Sequence, residues 1–544
     1  MKVVIIGGVA GGASCATRLR RLDERAEIII FERGENVSYA NCGLPYYIGR
    51  EIEREEDLTV ASPAFLRARF NIDVRVMSEV VGIDRKAHTV TVRSPQGEYK
   101  ESYDKLVLTP GAGAKTFGFG GEGVFTLRDV RNTLDLDAYL TDNKVTNALV
   151  AGGGFIGVEI AENLIRRGIK VTLAEFAPQL MPPFDKETAL LVSDALKGGG
   201  VDVRVNTGVK AVERADGGLK VAFTDGTFMN AGVVILALGV APETALAKQA
   251  GLELAANGGI KTDEFMRTSD EDVFAAGDAV SVIGADGGET LIPLAGPANR
   301  QGRSVAANLL GGRENNGRAV LGASVVKVFD LTAASVGRNE KQLQKAGVKY
   351  KKAYAFPMTH AGYYPGATQL TLKLLFGENG EIYGAQAAGR ENVEKQIDVI
   401  SAVMKLGGTV HDLAQMELCY APPYNSAKSP VNMLGFIAEN ILSGLCPTTY
   451  AENLKKGDFV LDVRMPGECA RGGIPGAVNI PLDVLRDHID ELPKDKKIIV
   501  SCAVGLRGYL GTRILRQHCF DAVNLSGGYR VYSLCSRAGM LQND

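Results

Sequence analysis

Residues 3–22, VVIIGGVAGGASCATRLRRL, run into AEIIIFER at 26–33. Four β-branched residues, a glycine-rich turn, a helix-forming stretch and a second apolar run read as strand, turn, helix and strand. Such a turn lets backbone N–H groups and the positive end of the helix approach a pyrophosphate, and an acid closing the second strand can accept the ribose hydroxyl protons. Gly7 and Gly12 stand where this geometry needs them, and Glu32 closes the second strand beside Arg33, while Val9 holds the position where a middle glycine usually stands. The pattern recurs from Asn147 in NALVAGGGFIGVEIAENLIRRGIKVTLAE, where Gly152, Gly154 and Gly157 complete G-x-G-x-x-G and Glu175 follows at the expected spacing. One glycine turn is compatible with an empty tight loop. Two in register, each with its acid, point to two bound dinucleotides, and an acid at 175 would repel a 2′-phosphate, so NADH is expected rather than NADPH.

The rest of the chain sets the bounds. Its 544 residues exceed what one core serves, and several domains are expected. A net charge of −2 offers no field for nucleic acid or anionic lipid. The strongest apolar run, Val233 to Val240, is strand length, so no membrane span is expected. MKVVIIGG leaves no room for a cleavable leader, and a cytoplasmic protein with reduced thiols is the expectation. Eight cysteines and five histidines show no C-x-x-C pair and no metal-ligand spacing, so no metal site is predicted. The fold class is α/β: two Rossmann-like dinucleotide-binding domains, a further α/β domain and a small C-terminal α/β domain. The expected boundaries are a discontinuous first domain at 1–113 and 250–323, a second at 114–249, a third at 324–445, a linker at 446–455 and the last at 456–544.

Chemistry concentrates at Ser38-Tyr-Ala-Asn41-Cys42-Gly-Leu-Pro-Tyr46-Tyr-Ile-Gly49. No second cysteine follows nearby, so the redox partner of Cys42 must be a small thiol or an oxygen-derived species. SYANCGLPYYIG, together with GGVAGGASCATRLRRL, TPGA and CYAPPY, closely resembles the coenzyme A-disulfide reductases, and the resemblance runs through residues 1 to about 445. Thr109-Pro-Gly111 and VFAAGDAV with Asp278 resemble the second and third FAD motifs of the two-dinucleotide-domain disulfide reductases. The resemblance implies FAD on the first glycine turn, with Asp278 at the ribityl chain, NADH on the second, and a homodimer whose third domain serves dimerisation. It further implies that Cys42 cycles between a thiolate and a mixed disulfide with coenzyme A. Ser38 and Asn41 would lie near that sulfur, and Arg18 and Arg21 on the first helix would meet the nucleotide end of coenzyme A. Tyr420 of CYAPPY and a tyrosine of HAGYYPG, Tyr363 or Tyr364, resemble the pair that the partner subunit supplies to protonate the leaving sulfur.

In the last ninety residues Cys502-Ala-Val-Gly-Leu-Arg507 follows the strand KIIVS. Such a loop aims backbone N–H groups at the sulfur and stabilises an anionic persulfide. With LDVR, GGIPGAVNIP and LSGGY it resembles a rhodanese domain, and a loop one residue shorter than that of cysteine phosphatases favours sulfur over phosphate. Cys469, Cys519 and Cys535 read as packing residues. The expected activity is NADH-dependent reduction of a coenzyme A persulfide, polysulfide or disulfide, with sulfur handled at Cys502. Two alternatives remain: an NADH oxidase or peroxidase with a cysteine sulfenic acid, and a sulfurtransferase gated by a regulatory flavin module.

Overall fold

The computed structural model describes residues 1–215 and 217–541. Its contacts divide the chain into two compact units, Met1–Pro178 with Gly199–Gly322 and Gln179–Gly198 with Ala323–Asp544.

In the first unit, the opening strand Lys2–Ile6 is the centre of a five-stranded parallel sheet. Glu27–Phe31 and then Asp73–Arg75 lie to one side; Lys105–Leu108 and then Val273–Ala275 lie to the other. Strands buried on both faces need continuous apolar runs, which KVVII, EIIIF and KLVL supply. The helix Ala10–Leu22 turns Cys15, Ala16 and Leu19 into this core. A second parallel sheet has the order Asp202–Arg204, Lys170–Ala174, Asn147–Ala151, Val233–Leu236, Val124–Thr126. The apolar run 233–240 is not one strand as its hydrophobicity suggests. It leaves the sheet after Leu236, Gly239 adopts φ +88°, and Val240–Pro242 pairs antiparallel with Ala112–Ala114. The break has a packing cause: Ala237 O passes 2.3 Å from where a Cβ on Gly152 would stand, so the backbone at 237 forms the floor of the second glycine turn.

In the second unit, an antiparallel sheet orders Ser324–Val328, Leu331–Gly337, Ile382–Gly389, Thr371–Phe376 and Lys351–Ala355. The helices Val393–Lys405 and Pro430–Leu442 pack against it. The C-terminal domain is a parallel sheet ordered Thr448–Thr449, Ala522–Leu525, Ile498–Ser501, Phe459–Asp462, Val478–Asn479.

Two expected boundaries move. Residues 179–198, expected inside a continuous domain at 114–249, group with the second unit. Residues 446–455, expected as a linker, contribute the edge strand Thr448–Thr449 and bury Cys446 and Ala451. Both changes trace to one buried ionic cluster. The Lys373 ammonium meets the carboxylates of Asp185 (2.8 Å), Glu187 and Glu340. Lys352, nearly as deep, pairs with Glu340 (3.0 Å) and with Glu452 beyond the supposed linker, while the Tyr450 hydroxyl bonds the backbone of Lys352. Burial would by itself favour neutral forms; the neighbouring ammonium groups instead hold Glu340 down to about 2. Charges of this depth attract strongly and tolerate no missing partner. Replacing Lys373 with Met should therefore destabilise the second unit by about 3–5 kcal/mol, seen as a lower urea midpoint; an unchanged midpoint would show that the ammonium does not hold the segment in place.

Candidate active site

Each glycine turn is fixed by close backbone crossing. At the first, Gly7 has φ +93°, and a Cβ on Gly12 would lie 2.0 Å from Gly7 O. Thr109 seals the crossing through its hydroxyl, which donates to Ile6 O (2.9 Å) and Gly7 O (2.8 Å), and Gly111 follows with φ +75°. Glu32 accepts the N–H groups of Gly8 and Gly34, both at 3.0 Å, so its carboxylate is oriented beside the turn. Arg33 is exposed and reaches Glu243 at 3.5 Å. The second turn repeats the design: Gly152 has φ +106°, a Cβ on Gly157 would stand 1.9 Å from Gly152 O, and space around Gly154 is open. Glu175 accepts from Gly153 N and Ala177 N, both at 2.7 Å. No side chain caps the helices that begin at Ala10 and Phe155, which leaves their first N–H groups directed at the turn. These cradles fit the diphosphates of FAD and of a nicotinamide nucleotide.

The segment that follows the first sheet brings Cys42 to the same region. Ser38 N donates to Gly8 O at 2.9 Å, and Ser38 sits at φ +49°, a left-handed conformation that costs a non-glycine residue energy and is held here by its neighbours. Val60 N and Ala61 N return to Ser38 O, closing the loop that carries the thiol. Cys42 lies in a single 3-10 turn, Asn41–Gly43, and is exposed. Arg128, which the sequence reading passed over, ties the turn down. The Asn41 amide, in the orientation that satisfies both atoms, donates to Arg128 O (2.9 Å) and accepts from its guanidinium. The same side chain donates to Ala112 O (2.5 Å) and reaches Asp278 at 3.3 Å. No local motif surrounds Arg128; only the folded chain reveals it.

Partial desolvation by the surrounding chain pushes the Cys42 thiol up, Glu159 and Asp278 add to this, and Arg128 opposes it. Burial also raises Asp278, against the same arginine. Cys15 is fully buried, and desolvation pushes its thiol up to about 12, so it is a packing residue. On the first helix Arg18 is partly buried with its Nε lacking a partner among the described residues, and Arg21 is exposed. Arg20 between them is buried and donates to the carbonyls of Phe70, Asp23, Glu24, Ala26 and Asn71, a structural role.

In the second unit the Tyr363 and Tyr420 hydroxyls stand 3.0 Å apart, both residues exposed. Tyr364 instead sets its ring against His360 at 5.7 Å. In the C-terminal domain Cys502 is buried, and Gly505 N donates to its Sγ at 3.1 Å. Arg507, predicted to close the loop around the sulfur, spends its guanidinium on Glu468 in two 2.7 Å bonds. That bidentate pair holds the Glu468 carboxyl down to about 2. Glu468 was missed because it precedes Arg507 by 39 residues in sequence. Of the cysteines read as packing residues, Cys535 is buried, Cys469 is half-buried, and Cys519 is exposed at the end of the helix Leu506–Gln517. Cys519 takes φ +65° in the turn that follows this helix.

Comparison with known proteins agrees with this arrangement. Residues 1–302 match the pyridine nucleotide-disulphide oxidoreductase family, 323–430 its dimerisation domain and 447–535 the rhodanese-like domain. The coenzyme A disulfide reductase of Staphylococcus haemolyticus is 34% identical over 444 residues, 81% of this chain and 100% of that protein. The crystal structure of reduced Bacillus anthracis CoADR-RHD superposes with a TM-score of 0.96 at 45% identity, covering 99% of this chain and 98% of that one. A NAD-dependent persulfide reductase from A. fulgidus gives a TM-score of 0.92 at 36% identity, over 98% and 100% of the two chains. Among the described residues no helix is long and apolar enough to cross a membrane. With both nucleotide cradles and the Cys42 turn in place, the chain belongs to the FAD- and NAD(P)H-binding pyridine nucleotide-disulphide oxidoreductases, in the coenzyme A disulfide reductase family, and carries a C-terminal rhodanese domain.

Proposed function

We propose that this enzyme uses NADH to reduce the S–S bond of a coenzyme A persulfide, polysulfide or disulfide at Cys42, and that Cys502 receives or delivers the sulfur. Coenzyme A enters as part of the substrate. The observation that carries the reading is the state of the first unit's two cysteines: Cys15 is sealed in the core and Cys42 is exposed on a turn bound to the first glycine loop through Ser38 and to Asp278 through Asn41 and Arg128. Its sulfur partner must therefore come from outside the unit, as a small thiol or carried sulfur would.

The Cys42 thiolate attacks the inner sulfur of a coenzyme A persulfide, forming a mixed disulfide and expelling hydrosulfide. Gly7, Gly12, Thr109 and Asp278 would hold FAD and the second glycine turn NADH, and this pair would supply the two electrons that return Cys42 to the thiolate and free the coenzyme A thiol. Over a cycle one NADH would be consumed for each S–S bond broken, its hydride accounting for the electron pair that breaks the bond and for the proton of the coenzyme A thiol. The family's dimerisation domain supports a homodimer in which Tyr363 and Tyr420 of one subunit serve the other's Cys42, the shared hydrogen bond leaving one phenolic proton free for a departing sulfur. Tyr363, and not Tyr364, is the member of HAGYYPG that pairs with Tyr420. Glu175, with its carboxylate fixed against the second glycine turn, supports NADH over NADPH. Arg18, whose Nε has no partner among the described residues, is the better candidate of the two helix arginines for the phosphates of coenzyme A. A complete rhodanese loop with a hydrogen-bonded Cys502 favours a sulfur substrate over oxygen.

Steady-state NADH oxidation with coenzyme A persulfide tests the reading. Cys42→Ser should keep bound flavin and lose turnover by at least about 1000-fold; retained turnover would remove Cys42 from the mechanism. Tyr420→Phe should lower kcat by roughly 100-fold, the size of one general acid, with the spectrum of bound flavin unchanged. For the C-terminal domain, Cys502→Ser should abolish sulfur transfer from thiosulfate to cyanide while NADH-dependent reduction of coenzyme A disulfide persists; unaltered transfer would make the domain a docking module.

A further inference from the structure

The strand Lys170–Ala174 ends at Glu175, and the next residue, Phe176, is 75% exposed although Val171 to Ala174 are buried. A single exposed aromatic ring needs no explanation by itself. This one has a seat built for it. Its Cδ2 lies 2.8 Å from where a Cβ on Gly208 would stand, and Thr224 Cγ2 lies 3.1 Å from the same point. Gly208 is not among the glycines with positive φ, so its backbone conformation does not demand glycine; the space that the phenyl ring takes does.

The main chain fixes this seat. Thr207 N donates to Glu175 O at 2.8 Å and Asn206 N to Ala177 O at 3.0 Å. Gly208 N donates to Thr224 Oγ1 (2.9 Å), and Thr224 N returns to Gly208 O (2.8 Å). Residues 175–177 and 206–208 follow the neighbouring parallel strands Lys170–Ala174 and Asp202–Arg204. They lie at the carboxyl edge of a parallel sheet, where such folds bind nucleotides. Among the described residues no other ring and no cation lies over Phe176: Arg204, at the end of the adjacent strand, pairs with Asp202 (2.8 Å) and covers the ring of Phe223 (5.6 Å). The outer face of Phe176 is open.

The order of groups along a dinucleotide matches the order of these residues. A pyrophosphate suits the turn at Gly152, Gly154 and Gly157, and the ribose attached to it suits Glu175, whose carboxylate is held beside that turn by Gly153 N at 2.7 Å. The base is the next group out, and Phe176 is the next side chain. We propose that Phe176 is a specificity-determining residue for the nicotinamide nucleotide: seated on Gly208, its open face stacks on the adenine and selects a dinucleotide over a mononucleotide. The inference rests on the second glycine turn holding that nucleotide. Stacking at the adenine end strengthens binding before and during hydride transfer alike, so it acts on affinity and leaves the chemical step unchanged.

The test uses the full-length, FAD-loaded enzyme. ADP-ribose, which has the adenine, riboses and diphosphate but no nicotinamide, is titrated calorimetrically, and anaerobic flavin reduction is followed with NADH and with reduced nicotinamide mononucleotide, which has no adenine. Phe176→Ala should weaken ADP-ribose by about 10-fold and raise the NADH concentration for half-maximal reduction by a similar factor, with the limiting rate unchanged. Reduction by the mononucleotide should match the wild type at every concentration. Phe176→Tyr, which keeps the ring, should bind ADP-ribose within about 2-fold of the wild type. Unchanged ADP-ribose affinity in Phe176→Ala, or an equal loss with the mononucleotide, overturns the proposal. Should Phe176→Ala fail to retain flavin, Phe176→Leu takes its place, and undiminished affinity there overturns the proposal as well. The two readings fail separately: a wild-type enzyme that does not bind ADP-ribose defeats the nucleotide assignment of the second turn, whereas wild-type binding that Phe176→Ala leaves intact defeats only the role of the ring.

Discussion

Arg128 is the tie on which the catalytic region depends. Its guanidinium joins three partners at once: the Asn41 amide next to Cys42, the Ala112 carbonyl just after Gly111, and the Asp278 carboxylate. Planar, permanently charged and rich in donors, an arginine can span such a set where a lysine could not. Through it, the position of one exposed thiol is referred to the same backbone crossings that form the nucleotide cradle. Ser38 adds a second tether from the opposite end of the motif, at the cost of a left-handed backbone.

Paired charge is used differently in the second unit. Around Lys373 and Lys352 it is buried and joins segments distant in sequence, from Asp185 to Glu452. At Arg507 it is partly exposed and closes a loop over Cys502 by gripping Glu468 from a separate helix. In the first case the gain is in specificity of assembly, because desolvating so many ions leaves little net stability. In the second, the pair takes up the guanidinium, and Gly505 N is the group that donates to the sulfur.

Much of this was legible in the chain itself. Gly7, Gly12, Gly152 and Gly157 announce their crossings because no other residue avoids the clash, and KVVII and NALVA announce central parallel strands by being apolar on both faces. Cys42 and Cys502 stand out in the chain for a different reason: their loops are short, local and chemically unusual. What escaped reading depends on contacts far apart in sequence. Arg128 and Glu468 lie in segments without a motif, and their meaning comes only from Asp278 and Arg507. The strand expected at 233–240 failed because hydrophobicity records burial and not direction, and the backbone at Ala237 is buried while turning. The supposed linker failed because Thr448 and Thr449 are too few to register as a strand until Ala522–Leu525 pairs with them.

The first residues after the dimerisation domain have a consequence for how such a protein can change. Tyr450 and Glu452 clasp Lys352 on the outermost strand of the neighbouring sheet, and Val531 and Cys535 cover Tyr354 beside it. Removing the C-terminal domain would take Glu452 from Lys352, leaving it Glu340, and would bare the Tyr354 ring, so that domain is not a cartridge to be ejected and replaced at will. A chain without it would have to hide the aromatic side chain at 354 by other means.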